Sequence, residues 1–220
     1  MRIVILGPPG AGKGSLASLC HERLALAHLS TGALFREEIA RRSPLGKRVN
    51  RYVSKGQLVP DKLVVEVMAK KLRNMSTTRF VLDGFPRTKG QAAGFDKVLA
   101  KRPRQSLDGV VYLTSPQSLL VRRLSGRRVC GRCGANYHLR TMRPARSGRC
   151  DRCKGELIMR KDDQPATIRA RLRLDRRMAQ PLLNYYREQG LLYPLDGRGL
   201  IGGVFSRALK LFRRNGWLKA

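Results

Sequence analysis

Residues 2–15, RIVILGPPGAGKGS, decide the fold of this chain. The apolar run Arg2–Leu6 is typical of a buried strand, the glycine-rich stretch Gly7–Ser15 follows at once, and a helical pattern begins at Leu16. In this order the three parts form a phosphate-binding loop, in which backbone N–H groups and the helix N-terminus surround an anion. We therefore expect a nucleoside triphosphate site, where Lys13 supplies a cation to the β- and γ-phosphates.

The loop departs from the general pattern at one position. That pattern places Ser or Thr directly after the lysine, whereas here Gly14 follows Lys13 and Ser15 supplies the hydroxyl. The alternative interpretation is a glycine-rich turn that binds nothing. The preceding strand, the lysine and the helix together disfavour that alternative.

The composition is that of a globular protein. A chain of 220 residues, 42% of them hydrophobic, suffices for one substantial core with an inserted subdomain or two. No apolar run reaches the roughly 18–20 residues that span a membrane. The N-terminal apolar run is shorter than the core of a signal peptide and is predicted to be a strand, so we expect a cytoplasmic location.

The charge is strongly positive. Lys and Arg number 46 against 15 acidic residues, which gives a formal net charge of +31. Such a field attracts polyanions, and it predicts non-specific, salt-sensitive binding of nucleic acid. The alternative is that most of these side chains are solvated surface residues, which their scatter along the whole chain favours.

Beyond the loop, strands and helices alternate. Apolar strands separated by helices predict an α/β fold, in which a parallel sheet is covered on both faces and ligands bind beyond the carboxyl ends of the strands. The predicted strands are Arg2–Leu6, Ala27–Ser30, Arg79–Asp83, Gly109–Thr114 and Leu191–Leu195. The predicted helices are Ser15–Leu26, Ala33–Arg42, Pro44–Lys55, Asp61–Asn74, Lys89–Lys101, Pro116–Ser125, Ala166–Gln189 and Gly202–Arg213.

Four cysteines interrupt this alternation. Cys130 and Cys133 form one C-x2-C pair, and Cys150 and Cys153 form another sixteen residues later. This spacing predicts a zinc-ribbon-like site, because each pair directs two thiolates at one metal and four thiolates complete a tetrahedral shell. No position stays open for substrate, so the Zn²⁺ is expected to be structural. Disulfides are the alternative, and a cytoplasmic compartment disfavours them.

Several further motifs accompany the loop and the cysteines. They are Leu29–Gly32 with Phe35 and Arg36, Gly56–Asp61, Leu82–Thr88 with Gln91, Gly126–Val129, Arg160–Asp163 and Asp196–Gly197. With these motifs the chain resembles adenylate kinase in its long, zinc-binding form, over residues 2 to about 197. The Asp-Gly-Phe-Pro-Arg run at Asp83–Arg87 is specific to nucleoside monophosphate kinases.

The resemblance implies a reaction and a domain organisation. The reaction is the reversible conversion of ATP and AMP into two ADP, with Mg²⁺ bound to ATP, by a monomer. The implied parts are a P-loop core of three layers at residues 1–29, 60–121 and 161–220, a helical AMP-binding arm at 30–59, and a zinc-binding lid at 122–160.

The resemblance also implies which residues form the site. Catalytic roles fall to Lys13, Asp83, Arg87, Arg123, Arg127, Arg160 and Arg171. ATP contacts fall to Gly10, Ala11, Gly12, Lys13, Gly14, Ser15, Arg127, Asn136, Tyr137 and Gly199. AMP contacts fall to Thr31, Arg36, Gln57, Leu58, Val59, Gly84, Phe85, Pro86, Arg87, Gln91, Arg160 and Arg171. The metal ligands are Cys130, Cys133, Cys150 and Cys153.

The residue chemistry agrees with phosphoryl transfer. The acceptor is already an oxyanion, so the site needs cations and positioning and no general base. Asp83 is the natural partner of Mg²⁺, through water, although a turn role before Gly84 is the alternative. Asp162 and Asp163 are open to two interpretations, as helix caps or as partners of lid arginines.

One departure and two alternative functions remain. Ala33 stands where the family usually has Asp, which predicts that the AMP arm lacks a helix cap. Thr31 favours AMP as acceptor, but a kinase for another nucleoside monophosphate is an alternative. A basic zinc-ribbon protein that binds nucleic acid or the ribosome is the second alternative, although aromatic residues are only 6% of the chain.

Overall fold

A five-stranded parallel sheet forms the centre of the molecule. The computed structural model describes residues 1–55, 57, 59–101, 106–159 and 163–218, without the side chains of 165, 166 and 171. The strand order is β2-β3-β1-β4-β8. These strands are β1 (Arg2–Leu6), β2 (Ala27–Ser30), β3 (Phe80–Asp83), β4 (Gly109–Thr114) and β8 (Leu192–Asp196). All five predicted core strands are present, each within one residue of its predicted bounds.

The sheet is buried on both faces, which explains its near-continuous apolar strands. In β1, Ile3 and Ile5 belong to one buried cluster, with helices packed on that face, and Val4 and Leu6 belong to another. Successive side chains of a strand point to opposite faces, so β1, β3, β4 and β8 contribute to both clusters, whereas the edge strand β2 contributes to one. The predicted three-layer α/β arrangement is therefore confirmed.

Eight helices are described, and all eight predicted helices are among them. They are α1 (Lys13–Leu24), α2 (Thr31–Ala40), α3 (Pro44–Val53), α4 (Asp61–Arg73), α5 (Lys89–Ala100), α6 (Gln117–Ser125), α7 (Pro165–Glu188) and α8 (Ile201–Arg214). In the described part of the chain, no helix combines the length and apolarity needed to cross a bilayer.

Two helices begin two residues earlier than predicted. Helix α1 begins at Lys13 rather than Ser15, so the lysine itself lies in the first turn. Helix α2 begins at Thr31 because β2 runs into it without a loop. Its first turn has no side-chain cap, as predicted, but the uncapped position is Ser30 and Ala33 is the third helical residue.

A second, small sheet lies in the segment predicted to be the lid, and the sequence did not predict its strands. It is antiparallel, in the order β6-β5-β7, and consists of β5 (Arg127–Cys130), β6 (Asn136–His138) and β7 (Leu157–Ile158). Strands of two to four residues are too short to show a period in sequence. The lid residues Arg122 and Arg123 still belong to α6.

Candidate functional site

The glycine-rich loop leaves β1 in a conformation that only glycine allows. Gly7 has φ +144°, and a Cβ there would lie 2.7 Å from the carbonyl oxygen of Leu113 in β4. Gly10 and Gly12 also have positive φ, and Gly12 directly precedes α1. Lys13 folds back over the loop, where its Nζ donates to the carbonyl oxygens of Gly7 (2.6 Å) and Pro8 (3.0 Å). The loop and the cation thus form one cradle at the end of β1.

Gly14, the irregular residue of the loop, lies against Asp83. A Cβ at Gly14 would be 3.1 Å from Asp83 Oδ2, closer than such contacts normally are. Asp83 is the last residue of β3, and it pairs in register with Ile5 of β1 and Ser30 of β2. The missing side chain at Gly14 therefore lets the carboxylate reach the loop next to Ser15.

His28 is a site residue that the sequence did not reveal. Its Nε2 lies 3.6 Å from Asp83 Oδ2, and this buried nitrogen has no hydrogen-bond partner among the described residues. His28 stands in β2, next to β3 in the sheet. The strand order would have been needed to find this neighbour, because the residue has no motif of its own.

The predicted AMP arm brings a cation to the same edge. Thr31 is buried at the first position of α2, with its hydroxyl 3.5 Å from the carbonyl oxygen of Gly84. Arg36 is exposed one turn later, and its guanidinium lies 3.8 Å from the point where a Cβ of Gly134 would stand. Within the described residues Arg36 has no ion-pair partner. The arm and the lid therefore meet around an unneutralised guanidinium.

The Asp83–Arg87 motif forms the next side of the crevice. Gly84 turns at φ +72°, Phe85 and Pro86 are buried, and Arg87 is exposed. The Arg87 guanidinium donates from Nε to the carbonyl oxygen of Gly84 at 2.9 Å. The buried anchors hold the turn, so the arginine projects at the edge where β3 ends.

Gln91 has a structural partner that the sequence did not reveal. Its Oε1 accepts from the backbone N–H of Arg87 (2.8 Å), and its Nε2 donates to Asp61 Oδ1 (2.8 Å). The other oxygen of Asp61 accepts from the Thr88 hydroxyl at 2.6 Å. Gln91 thus ties the Arg87 turn to the start of α4, and one N–H of its amide is left for a ligand.

Arg123 connects three segments that are distant in sequence. Its guanidinium donates to the carbonyl oxygens of Ala11 in the loop (3.4 Å) and Gly199 before α8 (2.7 Å). Burial lowers the pKa of Arg123, and the neighbouring Arg122 charge adds to this. The predicted ATP residues Ala11 and Gly199 are therefore joined through a predicted catalytic arginine.

Arg127 forms a bidentate ion pair. Its Nε and Nη2 donate to the two oxygens of Asp163, both at 2.6 Å. Asp163 is fully buried, and Arg127 is 20% exposed. Of the two interpretations of this aspartate, the structure supports the partner of a lid arginine. Arg127 is thus held at the base of the lid.

The four cysteines form one cluster. Their sulfur atoms all lie within 4.8 Å of one another, with Cys130 and Cys153 at 3.4 Å and Cys133 and Cys150 at 3.5 Å. A tetrahedron with Zn–S bonds of about 2.3 Å has sulfur atoms about 3.8 Å apart. All four are free thiols at distances far beyond a disulfide bond. The donor set and its spacing fit a tetrahedral Zn²⁺.

Tyr137 supports this cluster from inside the lid. Its hydroxyl donates to Cys150 Sγ (3.4 Å) and accepts from the backbone N–H of Asp151 (2.7 Å). This hydrogen bond lowers the pKa of Cys150 to about 6. Tyr137 was predicted to touch ATP, but its buried ring faces the thiolates, so only its backbone is free for a nucleotide. The neighbouring Asn136 is exposed, as an ATP contact requires.

Of the remaining predicted residues, some have a described position and others do not. Ser15 follows Gly14 in the first turn of α1, and Gln57 and Val59 lie between α3 and α4. Leu58, Arg160, Asp162 and the side chain of Arg171 lie outside the described residues.

A phosphate loop, an aspartate at the end of the neighbouring strand and several cations from separate segments are typical of a P-loop phosphotransferase. The family model for adenylate kinase matches residues 5–191. An adenylate kinase of Clostridium botulinum (strain Langeland) is 41% identical over 216 residues, which cover 98% of this chain and 100% of that protein. An adenylate kinase of Moorella thermoacetica is 45% identical over 205 residues, 93% of this chain and 94% of the relative. One of Clostridium tetani is 43% identical over 198 residues, 90% and 91% of the two chains.

The chain belongs to the adenylate kinase family. It is accordingly a nucleoside monophosphate kinase, a transferase that binds ATP, AMP and ADP. Its function is that of an adenylate kinase, as the predicted resemblance implied.

Proposed function

We propose that this crevice carries the reversible phosphoryl transfer between Mg²⁺-bound ATP and AMP, and that the predicted residues do so in the roles given below. One observation carries the proposal. Asp83 is in register with Ile5 on one side and Ser30 on the other, so the phosphate loop, the start of α2 and the Arg87 turn begin at one edge of the sheet. Donor and acceptor sites thus adjoin.

The transfer requires charge stabilisation. An oxygen of the AMP phosphate attacks the γ-phosphorus, its bond to phosphorus forms, and the bond to the β–γ bridging oxygen breaks with release of ADP. The attacking oxygen is already ionised, so no proton must be removed. Lys13 and Arg123 stand on the ATP side, and Arg36 and Arg87 on the AMP side. We expect Arg160 and Arg171 to join them at the transferring group.

Asp83, Ser15 and Gly14 form the part of the site that suits Mg²⁺. Bound with ATP, Mg²⁺ neutralises charge on the β- and γ-phosphates. Mg²⁺ prefers hard oxygen donors such as the carboxylate of Asp83, which would hold the ion through water. The absent side chain at Gly14 leaves room beside this carboxylate. His28 Nε2 lies 3.6 Å from the same oxygen of Asp83, Oδ2.

The lid excludes water from the crevice in this proposal. Water would otherwise accept the phosphoryl group and waste ATP. Zn²⁺, when bound by the four cysteines, cross-links a segment whose described residues form a small buried cluster of Cys130, Tyr137 and Cys150. The Arg127–Asp163 pair attaches this segment to the start of α7.

The boundaries of core, AMP arm and lid belong to the same proposal, as do a monomeric state and a cytoplasmic location. The resemblance to the adenylate kinase family supports the monomer. The free thiols that suit a metal support a reducing compartment.

Two variants test the proposed roles. Arg87→Ala should lower the rate of ADP formation by about 10³-fold, because a single arginine has this weight in related phosphoryl transfers. Lys13→Ala should abolish turnover. Arg73→Ala and Lys97→Ala, both at exposed helical positions, are the matched controls and should retain full rate. Full activity of either site variant in folded protein would overturn the proposed roles.

A further inference from the structure

Two clefts lie side by side on the lid. The first has a volume of about 540 Å³ and the second about 480 Å³, and Ala145 lines both. One carboxylate, Asp151, and five cationic side chains line them, and the cations are Arg128, Arg143, Arg146, Arg149 and Lys154. The clefts form one continuous cationic surface, here called the lid groove.

The lining of the lid groove differs from that of the phosphoryl-transfer crevice. In the lid sheet Arg128 pairs with Tyr137, and Arg127 pairs with His138. Successive side chains of a strand point to opposite faces, so Arg128 and Tyr137 share the face opposite Arg127. Arg127 points to Asp163 and does not line the groove, whereas Arg128 and Tyr137 do, together with His138. Apart from Tyr137, no described residue predicted to bind a nucleotide lines the groove.

The positive charge of the lid groove is not neutralised by the described part of the chain. Residues 127–159 contain nine cations and two carboxylates, Asp151 and Glu156. None of the five groove cations forms an ion pair with a carboxylate among the described residues. Arg127, on the other face, is in contrast paired with Asp163. The groove therefore presents a concentrated positive field to solvent.

We propose that the lid groove binds the phosphodiester backbone of single-stranded nucleic acid. Four of its five cations are arginines, whose guanidinium forks bind phosphate oxygens in pairs. Leu139 in the first cleft is 51% exposed and offers an apolar surface to a base. A lipid surface is flat and requires projecting groups, whereas these cations line concavities. Recognition of the backbone predicts equal binding of RNA and DNA.

Salt dependence gives the expected magnitude. Each phosphate contact on a single strand contributes about 0.7 to the slope of log affinity against log salt concentration, so five contacts give a slope of about −3.5. Replacing Arg143, Arg146 and Arg149 by Ala should reduce the slope to about −1.4 and weaken binding about 100-fold at about 0.1 M salt.

The experiment measures fluorescence anisotropy of labelled oligo(U) and oligo(dT) with the zinc-loaded protein and saturating ADP. The triple variant of Arg143, Arg146 and Arg149 is compared with a triple alanine variant of Lys210, Arg213 and Arg214, which are exposed on α8. The control removes the same charge far from the groove. The rate of ADP formation and the zinc content should stay unchanged in both variants and report folding.

The proposal predicts that the affinity falls about 100-fold in the lid variant and less than about threefold in the control, on RNA and DNA alike. The salt dependence should follow the slopes given above. Single Arg143→Ala, Arg146→Ala and Arg149→Ala variants should each reduce the slope by about 0.7. Equal losses in the two triple variants would show that net charge binds the strand. Displacement by ADP would place binding in the nucleotide crevice, and lid-dependent binding to phosphatidylglycerol vesicles without oligonucleotide binding would indicate a membrane. Each of these three results would overturn the proposal.

Discussion

Replacing Tyr137 by Phe should weaken the hold of the lid on zinc while leaving its packing intact. The ring is 7% exposed and stays in place, so the change removes only the hydroxyl. That hydroxyl donates to the Cys150 sulfur at 3.4 Å, and a hydrogen bond to a charged group contributes about 1.5–3 kcal/mol. The expected loss of zinc affinity is therefore about 10- to 100-fold, the range found for the outer shells of metal sites. The backbone N–H of Asp151 also loses its acceptor, but Asp151 is exposed, so this N–H can donate to water instead.

Competition with a chromophoric chelator measures this affinity directly. Tyr193→Phe is the matched control, because its half-buried ring packs on Trp217, with 4.9 Å between the ring centroids, and its hydroxyl has no hydrogen bond among the described residues. The control should bind zinc like the parent protein. An affinity of the Tyr137→Phe protein within twofold of the parent would refute the reasoning that this hydroxyl stabilises the thiolate.

Three further changes test other contacts. Gly14→Ala should raise the Mg²⁺ concentration needed for half-maximal ADP formation, because its Cβ would press on Asp83 Oδ2 at 3.1 Å, whereas Gly202→Ala, where a Cβ meets nothing, should not. Gln91→Leu should lower the free energy of unfolding by about 1–3 kcal/mol in a urea titration, because Asp61 and the Arg87 N–H lose their hydrogen-bond partner. The same variant should raise the KM for AMP more than that for ATP, and equal effects on both KM values would contradict this. Removal of zinc by a chelator should expose the lid arginines to trypsin while the parallel core resists, and an intact lid after chelation would show that its own packing suffices.

Local sequence patterns predicted the elements whose conformation is determined by residues close together in the sequence. The loop from Gly7 to Ser15 requires glycine conformations and a following helix, and the four cysteines have a spacing that few other structures require. The apolar strands were found because both of their faces are buried. The start of α2 was missed because β2 and α2 join without a turn residue between Ser30 and Thr31.

Contacts between distant segments could not be predicted in the same way. The neighbour of His28 is Asp83, that of Gln91 is Asp61, and each pair depends on which strands and helices adjoin. Tyr137 shows the reverse case. The resemblance gave its position an ATP contact, while the alternation of the lid sheet turns its side chain toward Cys150.

The central claim is that the two halves of one crevice hold ATP and AMP. Its most direct test measures kcat/KM of the zinc-loaded protein with Mg²⁺-ATP and each of AMP, GMP, UMP and CMP as acceptor. The account predicts stoichiometric conversion of ATP and AMP into ADP, with AMP preferred over the other three. Absence of ADP formation from AMP, or preference for another monophosphate, would contradict it.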